Sequence, residues 1–203
     1  TEATDPRTSK VARQIYASVQ RASQIVGDLL DLTRCQMGPG IPVKKSLIDL
    51  SPVCERVIEE IRAFHPQANV RFDATEAVMG AFDGARMEQV FSNIISNAVT
   101  HGDNQFPVTV ELQAREDCAV FTVHNGGEPI PEDVLPFIFN PMGRFSQRSV
   151  VDHGPVAGLG LGLFIASEIV ASHAGSIEVS SDLKGGTVFR VKLPVDAESS
   201  VTI

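Results

Sequence analysis

The segment GLGLGL, residues 158–163, alternates glycine with leucine directly before a stretch whose pattern predicts a helix. Glycine has no Cβ, so a glycine-rich backbone can approach a ligand closely. A helix N-terminus offers unpaired N–H groups and a partial positive charge, which suit phosphate. We therefore interpret Gly158, Gly160 and Gly162 as a candidate phosphate cradle, with the leucines, Leu163 among them, pointing into the core. The alternative is a tight start of a helix that binds no ligand.

A second polar pattern lies in NIISNAVTHG. Asn93, Asn97 and His101 are spaced four apart on a predicted helix, so they share one face of it. Buried amides need hydrogen-bonding partners, and amide oxygens suit a hydrated cation. The stripe therefore indicates a ligand or metal site. Helix capping, or plain exposure of these polar residues, is the alternative.

Two glycine-rich turns complete the candidate site. In VHNGGEPIP an apolar strand ends at Asn125 and continues into Gly126 and Gly127, an arrangement that fits a turn recognising a base. Residues 185–187 form a predicted hairpin turn, and the Thr187 hydroxyl is expected to reach the same cleft. Either turn taken alone is also consistent with an ordinary connection.

The N-terminal stretch predicts one long helix over residues 8–35. Its apolar residues recur at heptad-like spacing and form a narrow seam, with Asp28 among the polar residues off that seam. We favour half of a helical hairpin that dimerises, since a long helix with a narrow seam needs a partner helix. A surface helix of the main domain is the alternative. The seam consists of Val11, Ile15, Val19, Ala22, Val26, Leu29 and Thr33.

The remaining elements predict an α+β fold, a sheet with helices on one face. Ser51 is the expected N-cap of a helix whose apolar face includes Phe64, and Asp83 is the expected cap of a helix over 84–101. Strands are expected at 69–74, in PVTVELQA and CAVFTVHN, and in SIEVSS and TVFRVKL, the last two forming a hairpin. A further helix is expected at 161–173. The irregular stretch 125–157 is typical of a lid or binding loop.

Composition narrows the class of protein. The 203 residues carry a net charge of -8 and include 43% hydrophobic residues, so the chain is globular and a nucleic-acid partner is disfavoured. Three scattered cysteines give no zinc motif and favour a reducing, cytoplasmic location. No apolar run is long enough to span a membrane. The chain begins with Thr1, so we expect a piece of a longer protein, in which a membrane anchor could lie upstream.

The motifs, in this order, resemble those of the ATP-binding catalytic domain of bacterial sensor histidine kinases. That domain belongs to a wider family that includes the ATPase modules of gyrase, Hsp90 and MutL. NIISNAVTHG resembles the N box, VHNGGEPIP the first glycine box, FIFNPMGRF the F box, GLGLGL the second glycine box and GGT the last. The helix ASVQRASQIVGDLLDLTR resembles the second helix of the dimerisation and phosphotransfer hairpin. The HG and HN-GxPIP variants resemble a phytochrome-like subgroup.

The resemblance implies a fold, a domain division and ligands. The fold is a two-layer α/β sandwich with a mixed sheet, of the Bergerat type, preceded by the long hairpin helix. Residues 1–38 form the incomplete hairpin, 42–196 the ATP-binding domain and 197–203 a tail. The ligands are ATP and Mg²⁺, and the partners are a response regulator and a second copy of the full-length protein. No nucleic acid and no membrane contact are expected within this chain.

The resemblance also implies roles for individual residues. Asn97, with Asn93, holds magnesium; Asn125 faces the adenine amino group; Gly127 lets the base approach. The three glycines of 158–162 cradle phosphate, with residues 140–157 as the lid. The other implied nucleotide contacts are His101 and Arg144 for phosphate, Ile130 and Leu163 in the nucleotide pocket, and Thr187 at the adenine end.

Four features depart from the family pattern. Asn125 stands where aspartate is usual, which leaves an acceptor oxygen but no charge. Thr100 stands where lysine is common, so His101 is the expected substitute, and Met142 stands where a second phenylalanine is common. None of the five histidines fits the phosphoacceptor pattern, so we expect the acceptor histidine outside this chain.

Three functions remain open on the sequence. The first is an ATP-dependent protein histidine kinase, for which this chain supplies the nucleotide-binding half. The second is an ATPase switch, which needs a glutamate one turn before the magnesium asparagine; Asn93 stands there, and Glu88 is half a turn off that face. An anti-sigma serine kinase is disfavoured on the same ground. The third is a non-catalytic module that binds a regulator or nucleotide.

Overall fold

The computed structural model of the protein describes residues 6–38, 40–74, 76–141 and 160–195. Within these ranges four α-helices and seven strands follow one another, and the predicted long helix, the three later helices and the strand pairs are confirmed. In chain order they are α1 (Pro6–Met37), β1 (Ser46–Asp49), α2 (Leu50–Phe64), β2 (Val70–Ala74), β3 (Met79–Phe82), α3 (Gly84–His101), β4 (Val108–Ala114), β5 (Cys118–Asn125), α4 (Gly162–Ser172), β6 (Ser176–Asp182) and β7 (Gly186–Pro194).

Five of the strands form one mixed sheet in the order β2-β4-β5-β7-β6. The β2–β4 pair is parallel, and the other pairs are antiparallel. Helices α2, α3 and α4 pack side by side against this sheet. The predicted α+β class and the two-layer sandwich are confirmed.

Helix α3 lies between α2 and α4 and is the centre of the helical layer. The Phe91 ring packs against the Phe121 ring of β5, with 4.5 Å between the ring centroids. Such packing fixes the helix rigidly on the sheet, and its polar end is positioned by that core. The residues predicted to face inward are all buried: Met87, Val90, Phe91, Ile94, Ile95 and Ala98.

The start and end of α2 differ from expectation. Asp49, not Ser51, is the N-cap, and its Oδ1 accepts from the backbone N–H of Ser51 and of Val78, both at 2.9 Å. The Asp49 carboxylate thus holds two chain segments at once. The Ser51 hydroxyl does not, because it donates to the Glu76 carbonyl. Phe64 was placed on the apolar face, but 55% of it is exposed because it is the last residue of the helix.

A second small sheet was not predicted. Strands β1 and β3 pair antiparallel, with Ser46 opposite Phe82 and Asp49 opposite Met79. Each has only four residues, which is too few for an alternating pattern to be recognised. The pair leads the chain into α2 and α3, because β1 ends at the N-cap of α2 and β3 ends just before Asp83, the confirmed N-cap of α3.

Helix α1 presents two different faces. The seam residues whose side chains are described are exposed, with Ile15, Val19, Val26 and Leu29 showing between 44% and 59% of their surface. Asp28, in contrast, was predicted to lie among the polar residues off the seam, but it is buried, as is Asp31. These carboxylates are buried because Arg86 of α3 reaches Asp31 and because this part of α1 packs on the globular domain.

Helix α4 ends in a Schellman motif whose left-handed residue is not glycine. The N–H of Gly175 donates to the Val170 carbonyl at 2.9 Å, and the N–H of Ala174 donates to the Ala171 carbonyl at 2.8 Å. Ala174 has φ of 59°, a region that an L side chain adopts at a cost.

We expect Ala174→Gly to raise the free energy of unfolding by about 0.5–1 kcal/mol, because glycine adopts this conformation without steric cost. The melting temperature should rise by roughly 1–4 °C. The matched control is Ala171→Gly, the same change inside the helix, which should destabilise by a similar amount. Two changes of the same sign would contradict the assignment.

His173, at the end of α4, is buried in the neutral form. Its Nε2 accepts from the backbone N–H of Asp83 at 3.1 Å, so the proton is on Nδ1, which donates to the Ile169 carbonyl at 2.8 Å. Burial lowers the pKa of His173, and nearby Lys45 acts in the same direction, against the opposing effect of Asp83. The ring thereby joins the end of α4 to the start of α3.

Because the folded pKa is lowered, His173 contributes stability that is complete above its unfolded pKa of about 6.5 and is lost as the pH falls below it. We expect the free energy of unfolding to drop between pH 6.5 and 5 more steeply than in His173→Asn, by up to about 1.4 kcal/mol per pH unit. Denaturant titrations of both proteins measure this, since the other histidines cancel. Parallel pH profiles would contradict it.

Candidate functional site

One large cleft of about 1100 Å³ lies at the end of the sheet where β5 stops. This volume is at the upper end of the range for pockets that bind small molecules. The cleft collects residues from α3, β5, α4, the β6–β7 turn and the segment after β5. Of the residues predicted for the site, it is lined by Asn97, His101, Asn125, Gly127, Ile130, Leu163 and Thr187.

The other predicted residues stand apart from this lining. Asn93, Gly160 and Gly162 do not line the cleft, although Asn93 is hydrogen-bonded to Gly162, the neighbour of the lining residue Leu163. Arg144 and Gly158 fall outside the described residues, as do Met142 and most of the stretch predicted as a lid.

Asn125 is the last residue of β5 and is 4% exposed. Its Nδ2 donates to the Gly126 carbonyl at 3.1 Å. The amide oxygen is therefore the atom that can accept from a ligand. Thr187 of β7 is its direct partner in the sheet and is also buried, so two polar side chains meet at the closed end of the cleft.

The turn after Asn125 requires glycine at position 127. Gly127 has φ of 133°, and a Cβ there would stand 3.1 Å from the Asp103 nitrogen and 3.4 Å from the His101 carbonyl oxygen. The Asp103 N–H also donates to the Gly126 carbonyl at 2.9 Å. The turn is thus held directly against the C-terminal end of α3, which brings Asn125 and His101 to one cleft.

The polar stripe of α3 divides into two roles. Asn97 and His101 line the cleft, whereas the Asn93 amide donates to the Gly162 carbonyl at 3.0 Å. This bond joins α3 to the first residue of α4. The Asn93 side-chain oxygen takes no part in this bond. A contribution of that oxygen to a metal site stays a prediction.

The N-terminus of α4 has the features of an anion site. No side chain caps it, no acid lies in its first turn, and its first internal bond runs from Ile165 N–H to the Leu161 carbonyl at 2.9 Å. The N–H groups of residues 162–164 therefore precede the helical ladder. Leu161 and Leu163 are buried, which confirms that these leucines anchor the turn, and Gly160 has φ of 71°.

The β6–β7 turn is held over Asn125. Hydrogen bonds from the N–H groups of Gly185 and Lys184, at 2.6 and 2.8 Å, lower the pKa of Asp182 and fix the turn. His124 Nε2 lies 2.7 Å from the Gly185 carbonyl oxygen. Gly186 has φ of 67°, and a Cβ on it would collide with the Asn125 carbonyl oxygen. Glycine at position 186 is therefore required for the close packing of the site.

Several cleft residues were not predicted. His124 precedes Asn125 and alternation along β5 places it on the other side of the strand, yet it reaches the cleft because the β6–β7 turn folds over it. Phe106 and Leu183 are large, apolar and exposed at the rim. For Phe106, the one feature of the sequence that could have indicated a place in the cleft was an aromatic side chain in the short loop after α3.

Glu88, the glutamate considered for a hydrolytic centre, lies away from the cleft. Glu88 is on the surface with Arg56, 3.0 Å away, and does not line the cleft. Over the described ranges no cluster of three or more histidine, cysteine or acidic side chains could hold a metal ion. A metal here would depend on amide oxygens and on the ligand.

Comparison with known proteins identifies the family to which this chain belongs. Residues 82–197 match the family model for histidine kinase-, DNA gyrase B-, and HSP90-like ATPases. The chain is 31% identical over 192 residues to the signal transduction histidine-protein kinase AfsQ2 of Streptomyces coelicolor, covering 95% of this chain and 34% of that protein. It is also 31% identical to the bacteriophytochrome of Pseudomonas aeruginosa, covering 94% and 26%. The chain thus spans about a third or less of these relatives.

A solved structure shares the fold. Full-length ShkA, whose crystal structure is a complex with AMPPNP, aligns with a TM-score of 0.72 at 21% identity, over 98% of this chain and 41% of that one. In the described part of the present chain, no helix is both long and apolar enough to cross a bilayer.

Proposed function

Because the chain belongs to the histidine kinase-, DNA gyrase B- and HSP90-like ATPase family, as the ATP-binding catalytic portion of a sensor histidine kinase, we propose that its cleft presents the γ-phosphate of Mg-ATP to a histidine. One observation carries the proposal. Asn97, at the end of α3, and Asn125, at the end of β5, open into one cleft beside an uncapped helix N-terminus.

The adenine belongs at the closed end of this cleft. The Asn125 oxygen accepts from the exocyclic amine, and the Thr187 hydroxyl lies next to it. Gly127 and Ile130 border the base on the side of the turn. An amide acceptor gives a weaker hydrogen bond than the aspartate usual in the family, because it carries no charge.

The phosphates belong at the other end, towards α4. The N–H groups at the start of that helix, which precede its internal hydrogen bonds, and its dipole favour negative charge. His101, Arg144 and the glycine at 158 are assigned to phosphate contacts from the sequence. These groups position the nucleotide and offset charge, which is most of the catalysis in phosphoryl transfer.

The residues present fit magnesium. Mg²⁺ prefers oxygen ligands, keeps several waters and binds through substrate phosphates with few protein groups. Asn97 supplies such an oxygen in the cleft, with Asn93 one helical turn away, and a bound Mg²⁺ would neutralise charge on the phosphates. Asn97 would hold the metal and would in that way help to orient the nucleotide.

The partners follow from the long helix and from the family. The exposed seam of α1 pairs with helices of a second copy in the full-length protein, and the phosphorylated histidine passes its phosphate to a response regulator on the cytoplasmic side. Residues 1–38 form part of the hairpin, 42–196 the catalytic domain and 197–203 a tail. A hydrolytic switch is disfavoured, since Glu88 is turned to Arg56 on the surface.

The test is phosphoryl transfer by the full-length protein that contains this chain. With γ-labelled ATP and Mg²⁺ we expect label that is stable to base, labile to acid and located on a histidine outside residues 1–203. An Asn104→Ala variant, altered at an exposed asparagine near the cleft, should behave like the wild type. Release of free phosphate without labelled protein would instead support an ATPase.

A further inference from the structure

Three adjacent strands carry a row of polar side chains on the inner face of the sheet. Asn125 of β5 is opposite Thr187 of β7, and Thr187 is opposite Ser181 of β6. Asn125 and Thr187 line the cleft, but Ser181 does not. A half-buried serine among the apolar inward residues of β6 needs an explanation, since Ile177 and Val179 precede it on the same face.

Ser181 is hydrogen-bonded on both sides. Its Oγ accepts from the backbone N–H of Ile130 at 2.9 Å, and it lies 2.7 Å from the Thr187 Oγ1. The bonds connect three segments: the strip after Asn125, strand β6 and strand β7. Each of these segments contributes to the cleft or to its support.

Two arrangements of the hydroxyl protons satisfy these bonds, since either hydroxyl can donate to the other. The Ile130 N–H can only donate, so Ser181 receives one bond and has its own proton to give. If Ser181 donates to Thr187, each hydroxyl accepts once and donates once, and the three groups form one polarised chain. In that arrangement the Thr187 proton points onward into the cleft. In the reverse arrangement Ser181 accepts twice and Thr187 offers the cleft only lone pairs.

We propose that Ser181 is a positioning residue that makes the Thr187 hydroxyl a hydrogen-bond donor to a ring nitrogen of the bound base. The inference rests on the proposed function, because it concerns the same cleft. Next to the Asn125 acceptor, a Thr187 donor creates a pair that matches the amino group and the adjacent N1 of adenine. Guanine presents a carbonyl and an N–H at these positions, so the same pair opposes it.

The test compares two nucleotides. Binding of ATP and of 1-deaza-ATP, which lacks the ring nitrogen, is measured by calorimetry for the wild type and for Ser181→Ala. One hydrogen bond of ordinary strength corresponds to about a fivefold to tenfold change in affinity. We expect Ser181→Ala to weaken ATP by this factor and to leave 1-deaza-ATP unchanged.

Two further variants separate positioning from a structural role. Ser181→Thr keeps the hydroxyl and should retain the preference for ATP. Ser180→Ala makes the same change at the neighbouring exposed position and should change neither affinity. Equal weakening of both nucleotides in Ser181→Ala, or an unchanged preference for ATP, overturns the inference while the proposed function stands. A wild type that binds neither nucleotide overturns both.

Discussion

Replacing Asn97 by alanine should lower the affinity for Mg-ATP by at least about a hundredfold while the fold is retained. Asn97 is the asparagine of α3 that lines the cleft, and it is not part of the buried core. Loss of supporting groups around a metal already costs ten- to a hundredfold in affinity, so loss of a direct ligand costs at least the upper value. Calorimetric titration with a non-hydrolysable ATP analogue measures it.

Two variants and one change of conditions test whether the lost affinity in Asn97→Ala comes from the metal ligand. Asn97→Asp keeps an oxygen ligand and should retain magnesium-dependent binding. Asn104→Ala, a matched change at an exposed asparagine, should have no effect. In the presence of a chelator, the wild type and Asn97→Ala should bind alike, because the lost contribution depends on the metal. Full Mg-ATP affinity in Asn97→Ala would show that the metal-binding residue has been misplaced.

Replacing Arg86 by alanine should detach the C-terminal part of α1 from the globular domain. Arg86 Nη1 and Nη2 hold the two oxygens of the buried Asp31, at 2.7 and 3.2 Å, and Gln89 Nε2 adds a contact at 3.3 Å. Asp28 lies close by, and burial, reinforced by the charge of Asp31, raises the pKa of Asp28. Without Arg86 these carboxylates are buried with too little compensation.

The expected cost is about 3 kcal/mol, within the range for breaking a buried ion pair. Two measurements report the loss of this contact: the free energy of unfolding and the alkylation rate of Cys35. Burial, and the nearby Glu168 of α4, raise the pKa of Cys35 to about 11 in the docked state, so its reaction should be slow until α1 detaches. Alkylation should therefore be faster in Arg86→Ala.

Arg34→Ala is the matched control, because Arg34 also contacts Asp31, at 3.4 Å, but is half-exposed. It should cost less than about 1 kcal/mol. Asp31→Asn combined with Arg86→Ala should cost less than Arg86→Ala alone, since the buried charge is then gone. Equal effects of Arg86→Ala and Arg34→Ala would contradict a buried linkage between α1 and α3.

Features with a strong local signal were predicted correctly. All six inward residues of α3 follow from helical periodicity over 18 residues, and the cap Asp83 follows from residue type. The convergence of Asn97, Asn125, Gly127 and Thr187 on one cleft came from the order of the motifs. Glycine at 127 and 186 is explained by positive φ and by backbone contacts that only the fold reveals.

Features that depend on distant partners were not predictable. Asp28 and Asp31 look like solvent-facing residues until Arg86, 55 residues away from Asp31, is placed against them. Asp49 rather than Ser51 caps α2 because its carboxylate also holds the Val78 N–H. Ser181 shows no motif at all, and its bonds to Ile130 and Thr187 arise from strand register.

The most direct measurement is titration of the wild-type chain with a non-hydrolysable ATP analogue, with and without Mg²⁺. We predict saturable binding with a dissociation constant between about 1 μM and 1 mM, the range usual for enzyme substrates. Removal of Mg²⁺ should weaken it at least about a hundredfold, as the loss of Asn97 does, because the Asn97 contribution depends on the metal. The absence of saturable binding at millimolar nucleotide with Mg²⁺ would contradict the assignment of this cleft to ATP.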